Sequence, residues 1–216
     1  MSQKSYSLNS GERQIATSID GIRADHRNRY TFGIEAVEAP GYGLDVFCGN
    51  GYGSKMIAMA GHTVLSIDGS QDAIELAHAH YETSEILFCQ KIWPFRLPKS
   101  AFDFAFCLES IEHIPDSDAF LHEMMQCLRP GASLILSTPN EDLMPFDAKH
   151  HIFHYRHFTQ DAIFSLLATH GFDIVKWGGQ IVYDIAIDGR HIPLVGDAPV
   201  LLDTPGQFLT ICCRKR

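Results

Sequence analysis

The most informative residues of the chain are Asp45-Val46-Phe47-Cys48-Gly49-Asn50-Gly51-Tyr52-Gly53, where three glycines follow directly on a short apolar run. The apolar run predicts a buried strand, and the residues after the glycines predict the start of a helix. Glycine lets a backbone turn tightly and approach a ligand closely, and the N–H groups at a helix start point outward. The stretch therefore predicts a strand–turn–helix unit that holds a nucleotide-like cofactor.

Apolar runs and amphipathic stretches alternate along the rest of the chain. An apolar run of roughly 4–8 residues between turn residues is typical of a buried strand, and apolar residues three and four apart are typical of a helix. Thr159 is a predicted helix N-cap, Gly171 a predicted helix end, and 129–131 a predicted turn between a helix and a strand. The predicted strands are 43–48, 63–68, 86–89, 102–107, 133–137, 172–177 and 207–213, and the predicted helices are 54–60, 71–81, 118–128 and 159–170.

Nearly continuous apolar strands are typical of a parallel sheet, since neither face of such a sheet meets water. Their alternation with helices predicts an α/β fold, in which a mostly parallel sheet forms the middle layer of three. We interpret residues 1–216 as a single domain. Two segments are expected to cover a site at the sheet edge: residues 1–40, helical over 16–37, and residues 179–206, an inserted loop or hairpin.

Composition excludes several classes of protein. The chain has 216 residues, 45% of them hydrophobic, which is enough for one packed core. Its formal net charge of -9 argues against broad nucleic-acid binding, which needs a basic face. No apolar run approaches the roughly 20 residues of a membrane-spanning helix, and residues 1–13 are too polar for a signal peptide. We expect a cytoplasmic protein without a membrane span, as a monomer or a homodimer.

The cysteines predict neither a zinc cage nor a disulfide framework. None of them forms a C-x-x-C pair, and several fall inside predicted strands. Such spacing favours reduced, buried thiols. The chain has six cysteines, at Cys48, Cys89, Cys107, Cys127, Cys212 and Cys213.

Two carboxylates flank the glycine turn. Asp45 lies inside the first predicted strand, where a carboxylate is costly unless it finds a cationic or hydrogen-bonding partner. Asp68 ends the second predicted strand, where an acid can accept hydrogen bonds from both hydroxyls of a ribose. The pair strengthens the cofactor interpretation over an ordinary turn without a ligand.

An NAD site is the main alternative for this pattern. Dinucleotide sites favour G-x-G-x-x-G, with the pyrophosphate on the helix start. This chain has G-x-G-x-G from Gly49 to Gly53, preceded by an acid that would repel a pyrophosphate. The same acid suits the ammonium group of an amino acid, which favours S-adenosylmethionine (SAM).

At this point the sequence resembles a known family. Residues 45–51 are similar to the first motif of class I SAM-dependent methyltransferases, and 66–70 to their second acidic motif. Residues 102–115 resemble the motif on their fourth strand, and 128–132 the turn before their fifth. The resemblance runs from about 43 to 178. It implies a Rossmann-like, seven-stranded sheet whose last strand inserts antiparallel.

The resemblance also implies a role for individual residues. Asp45 would lie near the SAM amino group, and Asp68 would bind the ribose. Leu108 and Glu109 would lie beside the sulfonium, and Tyr30 would line the methyl-transfer pocket. The candidate cofactor-binding residues are Tyr30, Asp45, Cys48, Gly49, Asn50, Gly51, Asp68, Gly69, Gln90, Leu108 and Glu109.

This chain departs from the family pattern in two places. Phe47 occupies the position of the first glycine in the first motif. The acid that usually follows the third strand and reads the adenine amino group is missing. Gln90 or Lys91 stands in its place, and the side-chain oxygen of Gln90 could still accept from that amine.

A possible metal site follows the fourth predicted strand. Glu109, Glu112 and His113 have E-x-x-E-H spacing, which brings three ligands onto one face if the segment is helical. The motif resembles that of metal-dependent O-methyltransferases acting on vicinal hydroxyls, in which a divalent cation such as Mg²⁺ lowers the pKa of a substrate hydroxyl. The alternatives are His113 as a metal-free general base and His113 as a structural residue.

Histidines cluster again after the fifth predicted strand. Four of them lie between 150 and 157, either by chance in a polar loop or because neutral imidazole serves there as a base, ligand or substrate contact. We take His113, His151 and His154 as the candidate catalytic residues. Arg27 and Arg29 are either part of a solvated helix face or contacts for an anionic group.

Together these features predict a SAM-dependent methyltransferase that acts on a hydroxyl of a small molecule or saccharide, with an amine as the less favoured acceptor. Two alternatives remain at this stage. One is an NAD-dependent oxidoreductase on a related sheet. The other is a SAM-binding protein without catalysis, which Phe47 and the missing adenine acid keep open.

Overall fold

The computed structural model describes residues 14–38, 40–187 and 190–216, and an eight-stranded sheet runs through them. The strand order is β3-β2-β1-β4-β5-β10-β6-β9. The strands are β1 (Tyr42–Val46), β2 (Thr63–Asp68), β3 (Ile86–Gln90), β4 (Phe102–Leu108), β5 (Leu128–Pro139), β6 (Phe172–Gln180), β7 (Tyr183–Ile185), β8 (His191–Pro193), β9 (Leu201–Leu202) and β10 (Phe208–Lys215). The helices are α1 (Ala24–Ile34), α2 (Tyr52–Met59), α3 (Gln71–Tyr81), α4 (Ser117–Cys127) and α5 (Gln160–Thr169), with 3-10 turns at Ile19–Gly21 and Ile111–His113.

The predicted α/β fold is confirmed. Strands β3, β2, β1, β4 and β5 pair in parallel, and β10 inserts antiparallel between β5 and β6. The sheet has one strand more than the seven predicted. The additional strand, β9, has two residues and pairs with Gly178 and Gly179 at the edge of β6.

Helices cover both faces of the sheet, so alternate residues of a central strand pack against different helices. On β4, Phe104 and Phe106 pack in one cluster with α1, α2 and α3, whereas Ala105 and Cys107 pack in another with α4 and α5. All four side chains are fully buried. Since alternate residues of a strand point to opposite faces, a strand covered twice must be apolar throughout, which explains the unbroken apolar runs.

The predicted helix boundaries hold where a capping side chain fixes them. The hydroxyl of Thr159 accepts from the backbone N–H of Ala162 at 3.2 Å and starts α5, and Gly171 follows the helix end with φ 83°. Helix α3 spans the predicted 71–81, and Ser70 accepts from Ala73 at its start. A capping side chain accepts a hydrogen bond from a backbone N–H that the helix itself leaves free. The helix start can therefore be predicted from the sequence where such a residue occurs.

Two predicted elements differ most in length from the structure. The helix predicted over 16–37 is limited to Ala24–Ile34, because Ile22 is extended and turns its side chain into the protein. Strand β5 begins at Leu128, before the predicted turn at 129–131. That turn is a bulge: pairing with β4 jumps from Phe102–Leu128 to Phe104–Ser133. Of the predicted cover segment 1–40, residues 1–13 and 39 lie outside the described residues.

The segment 179–206 contains an antiparallel hairpin of β7 and β8. The backbone N–H of Leu194 donates to Val182 next to this hairpin. All six cysteines are free thiols, five of them buried and Cys89 partly so. Among the helices of the described ranges, none is both long and apolar enough to cross a bilayer.

Gly43→Ala tests the close packing of β1 on β4. A Cβ at Gly43 would lie 1.9 Å from the Phe104 ring, so overpacking should lower the free energy of unfolding by about 1–3 kcal/mol. A Cβ at Gly41 would lie 3.3 Å from the same ring, so Gly41→Ala is the matched control and should cost less. Urea unfolding followed by circular dichroism measures both variants. Equal losses would show that the Phe104 ring does not restrict Gly43.

Candidate active site

A cavity of about 800 Å³ lies at the carboxyl ends of the parallel strands. Helix α1 and the β7–β8 hairpin form part of its wall. The predicted site residues that line it are Tyr30, Cys48, Gly49, Asp68, Gly69, Leu108, Glu109, Glu112, His113, His151 and His154. Asp45, Asn50, Gly51 and Gln90 are not part of its lining.

The turn after β1 has the left-handed backbone that its glycines predict. Gly49 has φ 57° and Gly51 has φ 88°. A Cβ at Gly51 would lie 2.7 Å from the Phe88 ring, whereas one at Gly49 would meet nothing within 4 Å. Gly51 therefore serves packing, and Gly49 leaves open space beside the cavity that it lines.

Phe47 has a left-handed backbone, a conformation that glycine adopts readily. Its φ of 60° is in the left-handed region, which costs a residue with a Cβ roughly 1–2 kcal/mol. Its ring packs against Phe95 and Phe120, with centroids 6.1 and 5.9 Å away. These apolar contacts offset the strain of the left-handed backbone.

Asp68 joins the glycine turn to the end of β2. One carboxylate oxygen accepts from the Gly49 N–H at 3.0 Å, and the other accepts from the Ser70 N–H at 2.8 Å. The side chain is 1% exposed, yet it lines the cavity. Both backbone turns that flank the expected ribose position thus depend on this carboxylate.

Asp45 acts behind the cavity wall. Its carboxylate accepts from Ser54 Oγ at 2.7 Å and from the Tyr30 hydroxyl at 3.1 Å. Burial raises the pKa of Asp45 to about 7, against the effect of these two hydrogen bonds. Gly53 makes room for the arrangement, because a Cβ there would lie 1.9 Å from the Tyr30 ring. Tyr30 is the side chain through which Asp45 meets the cavity.

Asn50 and Gln90 are used for contacts outside the cavity. Asn50 donates from Nδ2 to the carbonyl of Ala16 at 3.1 Å, next to the segment that precedes α1. Gln90 is exposed and donates from Nε2 to the carbonyl of Gly69 at 3.1 Å. The cavity wall also includes Ile92, Trp93 and Pro94, whose side chains are apolar.

Arg29 does not belong to a solvated helix face: its guanidinium is paired within the protein, although the residue is part of the cavity lining. It is 1% exposed, and its Nε donates to Gln180 Oε1 at 2.7 Å. Its other nitrogens lie 3.4 Å from Asp25 and 3.8 Å from Glu109. The guanidinium also lies 4.4 Å from the centroid of the Phe208 ring. Arg29 therefore joins α1 to the sheet.

The two glutamates after β4 have different surroundings. Glu109 has φ 49° and accepts from the Ser137 hydroxyl at 2.7 Å. Burial raises its pKa, and Arg29 opposes this. Glu112 is 1% exposed and accepts from Thr138 at 3.2 Å. Burial and then the charge of Glu109 raise the pKa of Glu112 well above its ordinary range, which favours a neutral carboxylic acid there.

The predicted metal set is not the one that the structure brings together. Glu109 precedes the 3-10 turn Ile111–His113 with a left-handed backbone, so the helical convergence expected from E-x-x-E-H does not occur. Ligand atoms of Glu112, His113 and His154 do lie within 4.8 Å of one another. His154 thus takes the place expected for Glu109.

Histidine rings from the segment after β5 and from β8 pack together in the cavity wall. The centroid of His154 lies 4.5 Å from that of His113 and 5.3 Å from that of His151. His191 on β8 lies 5.7 Å from His151. Burial, followed by the neighbouring imidazoles, lowers the pKa of His151 to about 4 and that of His154 to about 2. Both rings are neutral near pH 7.

Two residues of the wall and one behind it were not singled out in the sequence. His157 packs under His154, and Tyr183 and His191 face the cavity from the hairpin. Arg23 lies 5.2 Å from the Tyr183 ring centroid and fixes the hairpin against α1. The sequence indicated only that residues 179–206 would cover the site. It did not show which of their side chains point into the cavity.

The sequence matches the family model of a methyltransferase domain over residues 24–176. A probable SAM-dependent methyltransferase of Mycobacterium tuberculosis is 29% identical over 169 residues, covering 76% of this chain and 61% of that protein. The ubiquinone biosynthesis O-methyltransferase of Coxiella burnetii is 31% identical over 106 residues, covering 48% of this chain and 45% of that protein. The chain therefore spans less than two thirds of the length of these curated relatives.

A solved structure shares the fold. The 1,6-didemethyltoxoflavin-N1-methyltransferase of Burkholderia thailandensis, solved with its acceptor and S-adenosylhomocysteine, superposes with a TM-score of 0.65 at 20% identity, covering 89% of this chain and 79% of that one. The family match includes α1, the glycine turn and all of β1 to β5. With this match, the chain belongs to the methyltransferase-domain family.

Proposed function

We propose that this chain moves the methyl group of SAM to a hydroxyl oxygen of a small-molecule or saccharide acceptor. The observation that carries the proposal is the division of the cavity into two halves. One half is lined by Cys48, Gly49, Asp68 and Gly69, and the other by neutral imidazoles, among them His151 and His154. A neutral imidazole can take a proton from a hydroxyl, whereas a protonated one cannot.

The cofactor half fits SAM on the structure's own features. Gly49 has open space where a Cβ would lie, and Asp68 is a buried carboxylate at the cavity wall. The apolar wall at 92–94 suits a purine ring, and Tyr30 and Glu109 line the side expected for the amino-acid end. SAM supplies an electrophilic methyl carbon on a sulfonium sulfur. The role of the chain is to bind SAM, to align the acceptor with the methyl group and to remove the proton of the acceptor hydroxyl.

The acceptor half favours an uncharged, hydroxyl-bearing molecule. Its wall is formed by aromatic and histidine rings, and Arg23, which also lines the cavity, is held by Asp25 at 3.0 Å and by the Tyr183 hydroxyl at 3.3 Å. Oxygen as the methylated atom is also supported by the Coxiella burnetii relative, which is named an O-methyltransferase. The Burkholderia thailandensis structure is named an N-methyltransferase, which makes an amine the second candidate.

A matched panel of acceptors tests the acceptor atom. The full chain is incubated with SAM and with catechol, phenol, a methyl glycoside or a primary aromatic amine, and S-adenosylhomocysteine release is measured. We expect release with hydroxyl acceptors and methylation at oxygen by mass spectrometry. Methylation of the amine alone would contradict the proposal, and SAM binding without release in a broad screen would favour a non-catalytic protein.

Asp68→Ala should weaken SAM binding by about 10- to 100-fold, because hydrogen bonds to a charged group contribute about 1.5–3 kcal/mol. Calorimetric titration of SAM measures the change, with NAD as the comparison ligand. Asp72→Ala is the matched control, since Asp72 is exposed in the first turn of α3. Unchanged SAM affinity in folded Asp68→Ala would contradict the role given to this carboxylate.

The group Glu112, His113 and His154 could also hold a divalent cation. Two imidazoles and one carboxylate suit zinc, iron or cobalt better than Mg²⁺, which prefers oxygen ligands. We propose that proton removal needs no metal, because imidazole nitrogens of His151 and His154 are available in the cavity wall to accept the proton.

Turnover should therefore persist after treatment with EDTA. The measurement is S-adenosylhomocysteine release before and after dialysis against the chelator, with SAM binding as the control for folding. Loss of turnover that Zn²⁺ or Co²⁺ restores would assign Glu112, His113 and His154 to a metal. Loss that only Mg²⁺ restores would contradict the preference expected from these ligands.

A further inference from the structure

Two hydrogen bonds determine where the proton sits on a pair of cavity histidines. His157 Nδ1 lies 2.6 Å from the carbonyl oxygen of Met144. A carbonyl only accepts, so this nitrogen must carry the hydrogen. His157 is 8% exposed and packs against His151 and His154, which disfavours a charged ring. In the neutral ring the other nitrogen, Nε2, is bare.

The bare nitrogen of His157 then orients the proton on its neighbour. His157 Nε2 lies 2.7 Å from His154 Nδ1, and one of the two must donate. Since His157 Nε2 accepts, His154 Nδ1 donates, and the remaining nitrogen of His154, Nε2, has a free electron pair. This is the less common tautomer of a histidine in water, so the Met144–His157–His154 chain selects it.

His151 is held in the opposite state by a backbone group. The N–H of Asp147 donates to His151 Nδ1 at 3.1 Å, so this nitrogen is bare and Nε2 carries the hydrogen. His151 is 9% exposed and lines the cavity, and its Nε2 has no partner among the side chains and backbone groups that the structure describes. A buried donor without a partner costs about 1–3 kcal/mol, which a bound acceptor molecule could recover.

We propose that His157 and the Asp147 amide lock His154 and His151 in opposite tautomers, so that the cavity offers the methyl acceptor one proton-accepting nitrogen and one N–H donor. The two rings are nearly parallel, with an interplanar angle of 15°. The matching acceptor has a hydroxyl next to a second oxygen that accepts a hydrogen bond. His157 is a positioning residue that acts through His154. The inference rests on the proposed function for its chemistry, but the tautomers themselves do not.

The balanced step follows from these positions. The acceptor hydroxyl gives its proton to His154 Nε2, and its oxygen forms a bond to the methyl carbon. The carbon–sulfur bond breaks, and its electron pair stays on the sulfur of S-adenosylhomocysteine. The imidazolium that results keeps its Nδ1–H bond to His157, which shares the charge. His151 donates from Nε2–H to the second oxygen of the acceptor, and its own protonation state does not change.

The test is the protonation state of each ring nitrogen, read by long-range ¹H–¹⁵N correlation on the full-length ¹⁵N-labelled protein without an acceptor. Signals are assigned by replacing single histidines. We expect a protonated Nδ1 and bare Nε2 for His154, and the reverse for His151. His154 with a protonated Nε2 in the native protein would overturn the proposal.

Two variants at one position separate positioning from packing. His157→Gln keeps an acceptor near His154 Nδ1, whereas His157→Phe keeps a ring but has no acceptor. We expect the Phe variant to shift His154 to the Nε2–H tautomer and the Gln variant to retain the native one. His122→Asn, on the exposed face of α4, is the control and should change neither ring. A native His154 tautomer in a folded Phe variant would overturn the role of His157.

Kinetics with a hydroxyl acceptor from the panel give the second readout. The Phe variant should lose about 10²- to 10⁴-fold in kcat, the usual contribution of a general base, with SAM affinity unchanged. The Gln variant should recover part of the loss. Native tautomers together with no methylation of any hydroxyl would refute the proposed function and leave the locked tautomers standing. An equal loss of kcat in both variants, with the tautomers retained, would overturn the positioning role.

Discussion

The buried guanidinium of Arg29 is the contact on which the shape of the cavity depends. Burying an unpaired guanidinium is costly, so its position is set by the groups that surround it. Those groups come from three elements: Asp25 on α1, Gln180 at the end of β6, and Glu109 after β4. The helix that carries Arg29 also carries Tyr30, whose hydroxyl reaches Asp45 in β1. Arg29 and Tyr30 therefore join helix α1 to β1, to the end of β6 and to the segment after β4, all of which border the cavity.

The fold could be predicted from the sequence because helices cover its central strands on both faces of the sheet. Continuous apolar runs on β1, β2 and β4, with capping residues such as Thr159 between them, leave few other arrangements for the chain. The bulge at the start of β5 was not readable, because Arg129, Pro130 and Gly131 are turn residues by composition, and only pairing with β4 makes them part of a strand. The burial of Arg29 could not be predicted either, since two of its three partners, Gln180 and Glu109, lie far away in sequence.

The residue types of the candidate site could be predicted from the sequence, but much of their arrangement in space could not. The sequence indicated glutamates and histidines near the carboxyl ends of the strands, and the structure places them there. The E-x-x-E-H spacing suggested a shared helical face, but Glu109 takes a left-handed backbone to reach Ser137 and Arg29. His157 could not be separated from its neighbours in the sequence. Its importance comes from a contact with the carbonyl of Met144, which no side-chain pattern reveals.

Strand β9 has a consequence for how the molecule behaves in a crowded solution. A long exposed edge strand can recruit the edge of another copy and start aggregation. Here the sheet ends on the β6 side with two residues, Leu201 and Leu202, too few to template a neighbour. The backbone at Gly179 is approached so closely by 204–206 that a Cβ there would lie 2.2 Å from the Gly206 nitrogen. The additional strand thus closes a sheet edge that would otherwise invite self-association.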